Sequence, residues 1–260
     1  MSAVRQAALL TGRQVGHWRR QPGRLALEVL FPVLLLLMFG VLLGGAISAP
    51  GGGTGAAYRD FLVPGMLALA MLFGLESTMT GVATDASRGV TDRFRTMPIS
   101  SSAVIAGRAT ADMLASAVSL TVMIAVGLAV GWRPDTLRGT VAAVALLLLL
   151  RWAALWAGVY LGLLTRDPQS VVVVQILVWP FSFLSSAFVP VETMPAGVRW
   201  VAEWNPLTAV VTAVRDLSGS PSTASGWPAQ HAGALAVAWC VGLAALFFAL
   251  SAQRWSRLSR

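Results

Sequence analysis

The feature that most constrains this chain is a succession of apolar runs, each about as long as a bilayer is thick, separated by clusters of arginine. A spanning helix needs roughly 20 apolar residues to cross a hydrocarbon core about 30 Å thick. Six such runs can be read, at 25–47, 61–83, 109–131, 140–164, 171–188 and 232–250. The expected fold class is therefore all-α, a polytopic membrane protein with six transmembrane helices in one domain covering 1–260. Composition agrees: 56% of the residues are hydrophobic and only 12% charged, where soluble domains carry about a quarter charged residues.

Ahead of the first run, Val4, Ala8, Thr11, Val15 and Trp18 fall on one helical face, and Gln6, Arg13 and Arg20 on the other. This pattern predicts a helix over 1–22 lying in the membrane interface. The first run is too long for the apolar region of a signal peptide, and further runs follow it.

Arginine placement predicts the orientation, because loops kept in the cytoplasm are rich in basic residues. One side collects Arg5, Arg13, Arg19, Arg20, Arg24, Arg88, Arg93, Arg95, Arg108, Arg166, Arg254, Arg257 and Arg260. The other collects Arg59, Arg133, Arg138, Arg199 and Arg215. Both termini are expected in the cytoplasm. The net charge of +8 then reflects interfacial anchoring and not a nucleic-acid partner.

All 19 basic residues are arginine, as a GC-rich genome would produce. The absence of lysine has a chemical consequence: the phosphate-binding loop GxxxxGK[ST] needs a lysine, so any ATP hydrolysis must occur on another subunit. His17 and His231 fall at opposite membrane faces in the expected topology, which argues against a shared zinc site. Cys240 lies in an apolar run as a packed or lipid-facing residue. No catalytic residue, cofactor site or metal site is expected in this chain.

Two charged residues lie deep in the runs, Glu76 and Arg151. A charge at the centre of a span costs roughly 2.5–3.5 kcal/mol on insertion scales and usually faces protein or a wet cavity. Either the two meet or share a polar cavity, or each is satisfied separately by carbonyls, water or snorkelling. Glycine pairs at four-residue spacing, Gly40 and Gly44, Gly127 and Gly131, Gly158 and Gly162, allow close helix approach; packing within the chain is the expected use.

Two loops stand out. The loop over 84–108 contains a short amphipathic unit, 90–95, with Phe94 between Arg93 and Arg95, which looks built to dock. After the fifth run, Pro190, Pro195 and Pro206 delimit short helical pieces, and Trp200 and Trp204 share one face of a piece at 197–204 with the headgroup preference of tryptophan.

Three blocks resemble the ABC-2 type transporter permeases, in particular the daunorubicin-resistance-like exporters: FLVPG at 61–65, DASRG through DRFRTMP at 85–98, and FVPVETMPAGVRWVAEWNPLTAVVTAVRDL at 188–217. The resemblance implies a bacterial plasma-membrane export permease that forms a homodimer or a heterodimer with a second permease and binds two ATPase subunits, which hold ATP and Mg. It implies that Arg88, Asp92, Arg93, Phe94 and Arg95 couple to the ATPase. It also implies short re-entrant helices over 189–215 that cap the exit, an extracellular gate carrying Pro190, Glu192, Pro195, Trp200, Glu203, Trp204 and Pro206. The cargo class would be a hydrophobic or amphipathic drug, an antibiotic or a lipid. An ion-coupled secondary transporter, a membrane-embedded lipid enzyme and a membrane scaffold remain the alternatives, although no internal repeat and no convergent set of acid, histidine and nucleophile is visible.

Overall fold

The computed structural model describes residues 22–39, 55–87, 101–165, 168–220 and 226–258. The expected interfacial helix over 1–22 lies outside these residues apart from its last position, as do Gly40 and Gly44. Nine α-helices occur among the described residues: α1 Pro22–Leu37, α2 Gly55–Ser87, α3 Ser101–Val130, α4 Leu137–Thr165, α5 Val171–Phe183, α6 Ala196–Glu203, α7 Pro206–Ser218, α8 Trp227–Gln230 and α9 Ala232–Leu258. Short 3₁₀ turns lie at Pro168–Ser170 and Val191–Thr193.

Among the described residues, four helices are long and apolar enough to cross a membrane: Tyr58–Ser87, Gly107–Val130, Leu137–Thr165 and Ala232–Trp255. The chain is a polytopic helical membrane protein. At a rise of about 1.5 Å per residue, the 33 residues of α2 extend about 50 Å, well beyond the hydrocarbon layer. The second expected run thus marks only the apolar middle of a longer helix.

The fifth run departs from expectation. In place of an apolar helix over 171–188, α5 stops at Phe183 after 13 residues, with Pro180 inside its last turn. Proline withholds an N–H from the helical ladder, and the chain beyond it turns inward, so that Ser185, Ser186, Ala187 and Phe188 are all buried. Hydropathy cannot separate these two conformations, since both keep apolar side chains away from water.

α2 and α4 form the centre of the bundle. About 61% of the apolar window of each is buried, against 22% for α3 and 17% for α9. Two glycines of α4 make the close approach possible. A Cβ on Gly158 would stand 2.6 Å from the Leu75 carbonyl, and one on Gly162 would stand 2.7 Å from Val82 Cβ and 2.9 Å from the Met79 carbonyl. Lipid tails are as apolar as leucine, so helix association rests on this close packing more than on escape from water. The pair at Gly127 and Gly131 is different: Gly127 packs on Val63, whereas Gly131 ends α3 with φ +109° beside Arg59.

α7 is enclosed between α2, α4 and α9, with every residue from Leu207 to Arg215 buried. Its boundaries are written locally. Asn205 caps the N-terminus by accepting from Leu207 N at 2.8 Å, Pro206 occupies the first turn, and Gly219 closes the C-terminus at φ +82°. Asparagine before, proline just inside and a left-handed glycine just past the end are the residues helix termini favour.

Candidate functional site

The two ends of the bundle carry different machinery. At one end α2 runs out and α3 begins, and Asp85 and Arg108 form an ion pair between them. Gly81 leaves the room this requires, since a Cβ there would collide with Arg108 Nη2. The pair joins the two helices. Arg88, Asp92, Arg93, Phe94 and Arg95, expected to couple to the ATPase, fall between these helices in sequence and lie outside the described residues.

At the opposite end Arg59 Nη1 donates to the Val130 carbonyl at 2.8 Å, so α2 and α3 are pinned at both extremities. The turn after α3 also reaches α7, with Asp135 N donating to the Ser218 carbonyl at 3.1 Å. The expected gate residues cluster here. Pro190 precedes the 3₁₀ turn that carries Glu192, Pro195 precedes α6, and Pro206 opens α7. Trp200 of α6 and Trp204 just past its end are exposed. Trp204 stacks on Trp227, which stacks in turn on His231. Glu192 and Glu203 line a pocket with Thr208 and Thr212 of α7.

Two side chains of α7 and its cap fasten this assembly. Asn205 Nδ2 donates to the carbonyls of Phe181 and Leu184 at 2.9 and 3.0 Å, taking up acceptors at the end of α5. Arg215 is 1% exposed. Its Nε donates to the Phe61 carbonyl at 2.9 Å and its Nη2 to the Ser186 carbonyl at 2.8 Å. Arg215 sits inside a buried helix, and its charge is met by two carbonyls and the Phe61 ring, 3.6 Å away. Ala187 rests directly on α2, its carbonyl occupying the space that a Cβ on Gly65 would need. The blocks FLVPG and FVPVETMP…VRDL, far apart in sequence, are therefore one structural unit.

Midway along the bundle lies a polar band. Arg151 of α4 is 2% exposed; its Nε donates to Ser116 Oγ at 2.6 Å and its Nη2 to Thr78 Oγ1 at 2.8 Å. Thr78 donates onward to Asp112 Oδ2 at 3.0 Å. Gly74 makes space for the guanidinium, with a Cβ there falling 2.6 Å from Arg151 Nε. Glu76, on the same stretch of α2, accepts from Gln175 Nε2 of α5 at 2.7 Å. The structure thus brings Glu76 and Arg151 to the same few turns of α2 with different hydrogen-bond partners. Asp112 is not among the residues expected here. Its signal in the sequence is an acid within the first turn of the third run, a position equally suited to the interface.

The sequence matches the family model for the ABC-2 type transporter over residues 5–217. It is 33% identical over 241 residues to the daunorubicin resistance ABC transporter permease protein DrrB1 of Streptomyces coeruleorubidus, covering 92% of this chain and 82% of the relative. The chain belongs to the ABC-2 type transporter permeases. It is a multi-pass membrane subunit of an ABC transporter and carries no ATPase site of its own.

Proposed function

We propose that this chain is the membrane half of an ATP-driven exporter that moves a hydrophobic or amphipathic small molecule, or a lipid, out of the cell. The observation that carries the reading is the likeness over nearly the whole chain to a permease whose name states daunorubicin resistance. With six spans, counting α1 and α5 as the shorter two, the Asp85 end faces the cytoplasm and the α6–α7 cap faces outside. Two ATPase subunits dock on the loop carrying Arg88, Asp92, Arg93, Phe94 and Arg95, with ATP and Mg held by those subunits. Two permease chains, identical or related, enclose the path.

Coupling is then a matter of two conformations that the ATPase stabilises unequally. Force on the loop enters α2 and α3 together, because Asp85 and Arg108 join them. It reaches the far end through α2, whose first turns hold Arg215 and, through it, the turn at 184–188. The α6–α7 cap, with Pro190, Glu192, Pro195, Trp200, Glu203, Trp204 and Pro206, is the gate that this movement opens.

The experiment is ATP-dependent uptake of a lipophilic dye into inside-out vesicles containing the permease and its co-purifying ATPase. Replacing both Phe94 and Arg95 by Ala should leave membrane insertion and ATP hydrolysis in place and abolish uptake. Unchanged uptake counts against the docking loop, and uptake driven by a proton gradient without ATP counts against the exporter.

A further inference from the structure

Glu76 is placed where an acid is costly, and its surroundings do not fully answer it. One carboxyl oxygen, Oε2, accepts from Gln175. The other, Oε1, is buried and has no hydrogen-bond partner among the described residues. Buried polar atoms are almost always paired, and an orphan calls for an explanation. Gln175 is neutral, so it cannot balance a negative charge. The buried guanidinium of the neighbouring band donates instead to Ser116 and Thr78.

The apolar groups beside Glu76 are organised. Phe73 lies three residues before Glu76 on α2 and Trp179 four residues after Gln175 on α5, so each helix presents one polar and one aromatic step along the same seam. The two rings are 5.1 Å apart. Phe31 of α1 joins them, 6.2 Å from Phe73 and 5.7 Å from Trp179. The seam is flanked by apolar residues open to the surroundings, with Phe31 43%, Ile176 65% and Leu177 68% exposed. The seam thus lies at the surface of the chain, while Glu76 Oε1 itself is covered.

We propose that Glu76 Oε1 and the Phe31, Phe73 and Trp179 rings form a subsite for a protonated lipophilic amine, the charged end of an amphipathic substrate. This deepens the exporter reading and rests on it. An ammonium brings the donor that Oε1 lacks and the charge that Gln175 cannot supply. Aromatic faces attract the same cation and cover its apolar body. A bare metal cation fits poorly, since hard cations collect six or more oxygen ligands and no group of three acid, histidine or cysteine side chains gathers among the described residues. A neutral amphiphile with a hydroxyl can donate to Oε1 but brings no charge to balance the carboxylate.

The test is equilibrium binding of tritiated propranolol, a protonated lipophilic amine, and of its neutral N-acetyl derivative to the permease in lipid nanodiscs. The native chain should bind the amine at least tenfold more tightly, a difference of about 1.4 kcal/mol. Glu76→Gln should bring the ratio of the two affinities to about one. Trp179→Leu should weaken both probes together and keep the ratio. Gln175→Leu, which keeps the carboxyl and removes its neutral donor, should hold or raise the ratio. A ratio near one in the native chain, or a tenfold ratio surviving in Glu76→Gln, overturns the proposal. ATP-driven flux of the two probes by the native complex is measured separately: amine-selective binding without any such flux strikes the exporter reading, whereas flux without amine selectivity strikes the subsite alone.

Discussion

Arg215 donates its Nε to the carbonyl of Phe61, 154 residues earlier in the chain, and its guanidinium lies 3.6 Å from the centre of that same residue's ring. One side chain thereby fixes the first turns of a long membrane helix to a short buried helix at its mouth. Its second branch holds the Ser186 carbonyl, in the turn that ends the fifth apolar run. Arg215→Met removes the donor to both and leaves the Ser186 carbonyl unpaired, at about 1–3 kcal/mol. The melting temperature of the detergent-solubilised permease should fall accordingly. Arg215→Lys should recover only part of the loss, because an ammonium cannot fork to two carbonyls while stacking on a ring.

Asn205 performs two tasks with one amide, capping α7 and binding the last carbonyls of α5. Asn205→Asp keeps the cap and loses the donor, whereas Asn205→Ala loses both. The cap alone is worth about 1 kcal/mol. Alanine should therefore lower thermal stability more than aspartate does. Both should increase hydrogen exchange over 184–188, since the donor to α5 is missing in each.

Gly158 and Gly162 set the distance between α4 and α2. Gly158→Leu drives a side chain into the Leu75 carbonyl and should prevent the central pair from closing, seen as loss of monodisperse protein on size exclusion. A Cβ on Gly242 of α9 would meet nothing within 4 Å, so Gly242→Ala should be neutral in the same measurement.

Asp85 and Arg108 make a partly exposed pair, with side chains 45% and 19% accessible. Such pairs contribute about 0.2–1 kcal/mol to stability, so Asp85→Asn or Arg108→Gln should barely change melting. Transport per ATP hydrolysed should drop in both if the pair carries force from the loop. The exchange Asp85→Arg with Arg108→Asp should restore it, as measured by dye uptake against phosphate release in vesicles.

Four spans are legible from hydropathy because crossing a bilayer demands length and apolarity whatever the neighbours are. The limits of α6 and α7 are legible too, since Pro195, Asn205 and Pro206 act on their own backbone. Arg215 is not. An arginine next to Asp216 near the end of an apolar stretch reads equally well as interfacial, and only the arrival of Phe61 and Ser186 makes burial tolerable. Asp112 escapes sequence reasoning for the same reason, its partner Thr78 lying on another helix. Hydropathy overstates the length of the fifth helix because Pro180 ends a helix without ending hydrophobicity.

The sequence by itself determined that this chain lives in a membrane, that it crosses it several times, and that it holds no phosphate loop of the kind that needs a lysine. These follow from side-chain chemistry summed along one segment at a time. Tertiary structure decided how far each charge is buried and what answers it: Arg151 by Ser116 and Thr78, Arg215 by two carbonyls and a ring, the half-buried Glu76 by Gln175 on one oxygen only. In a low-dielectric interior the cost of a polar group depends on the donors and acceptors within about 3 Å of it, and those come from helices far apart in the chain.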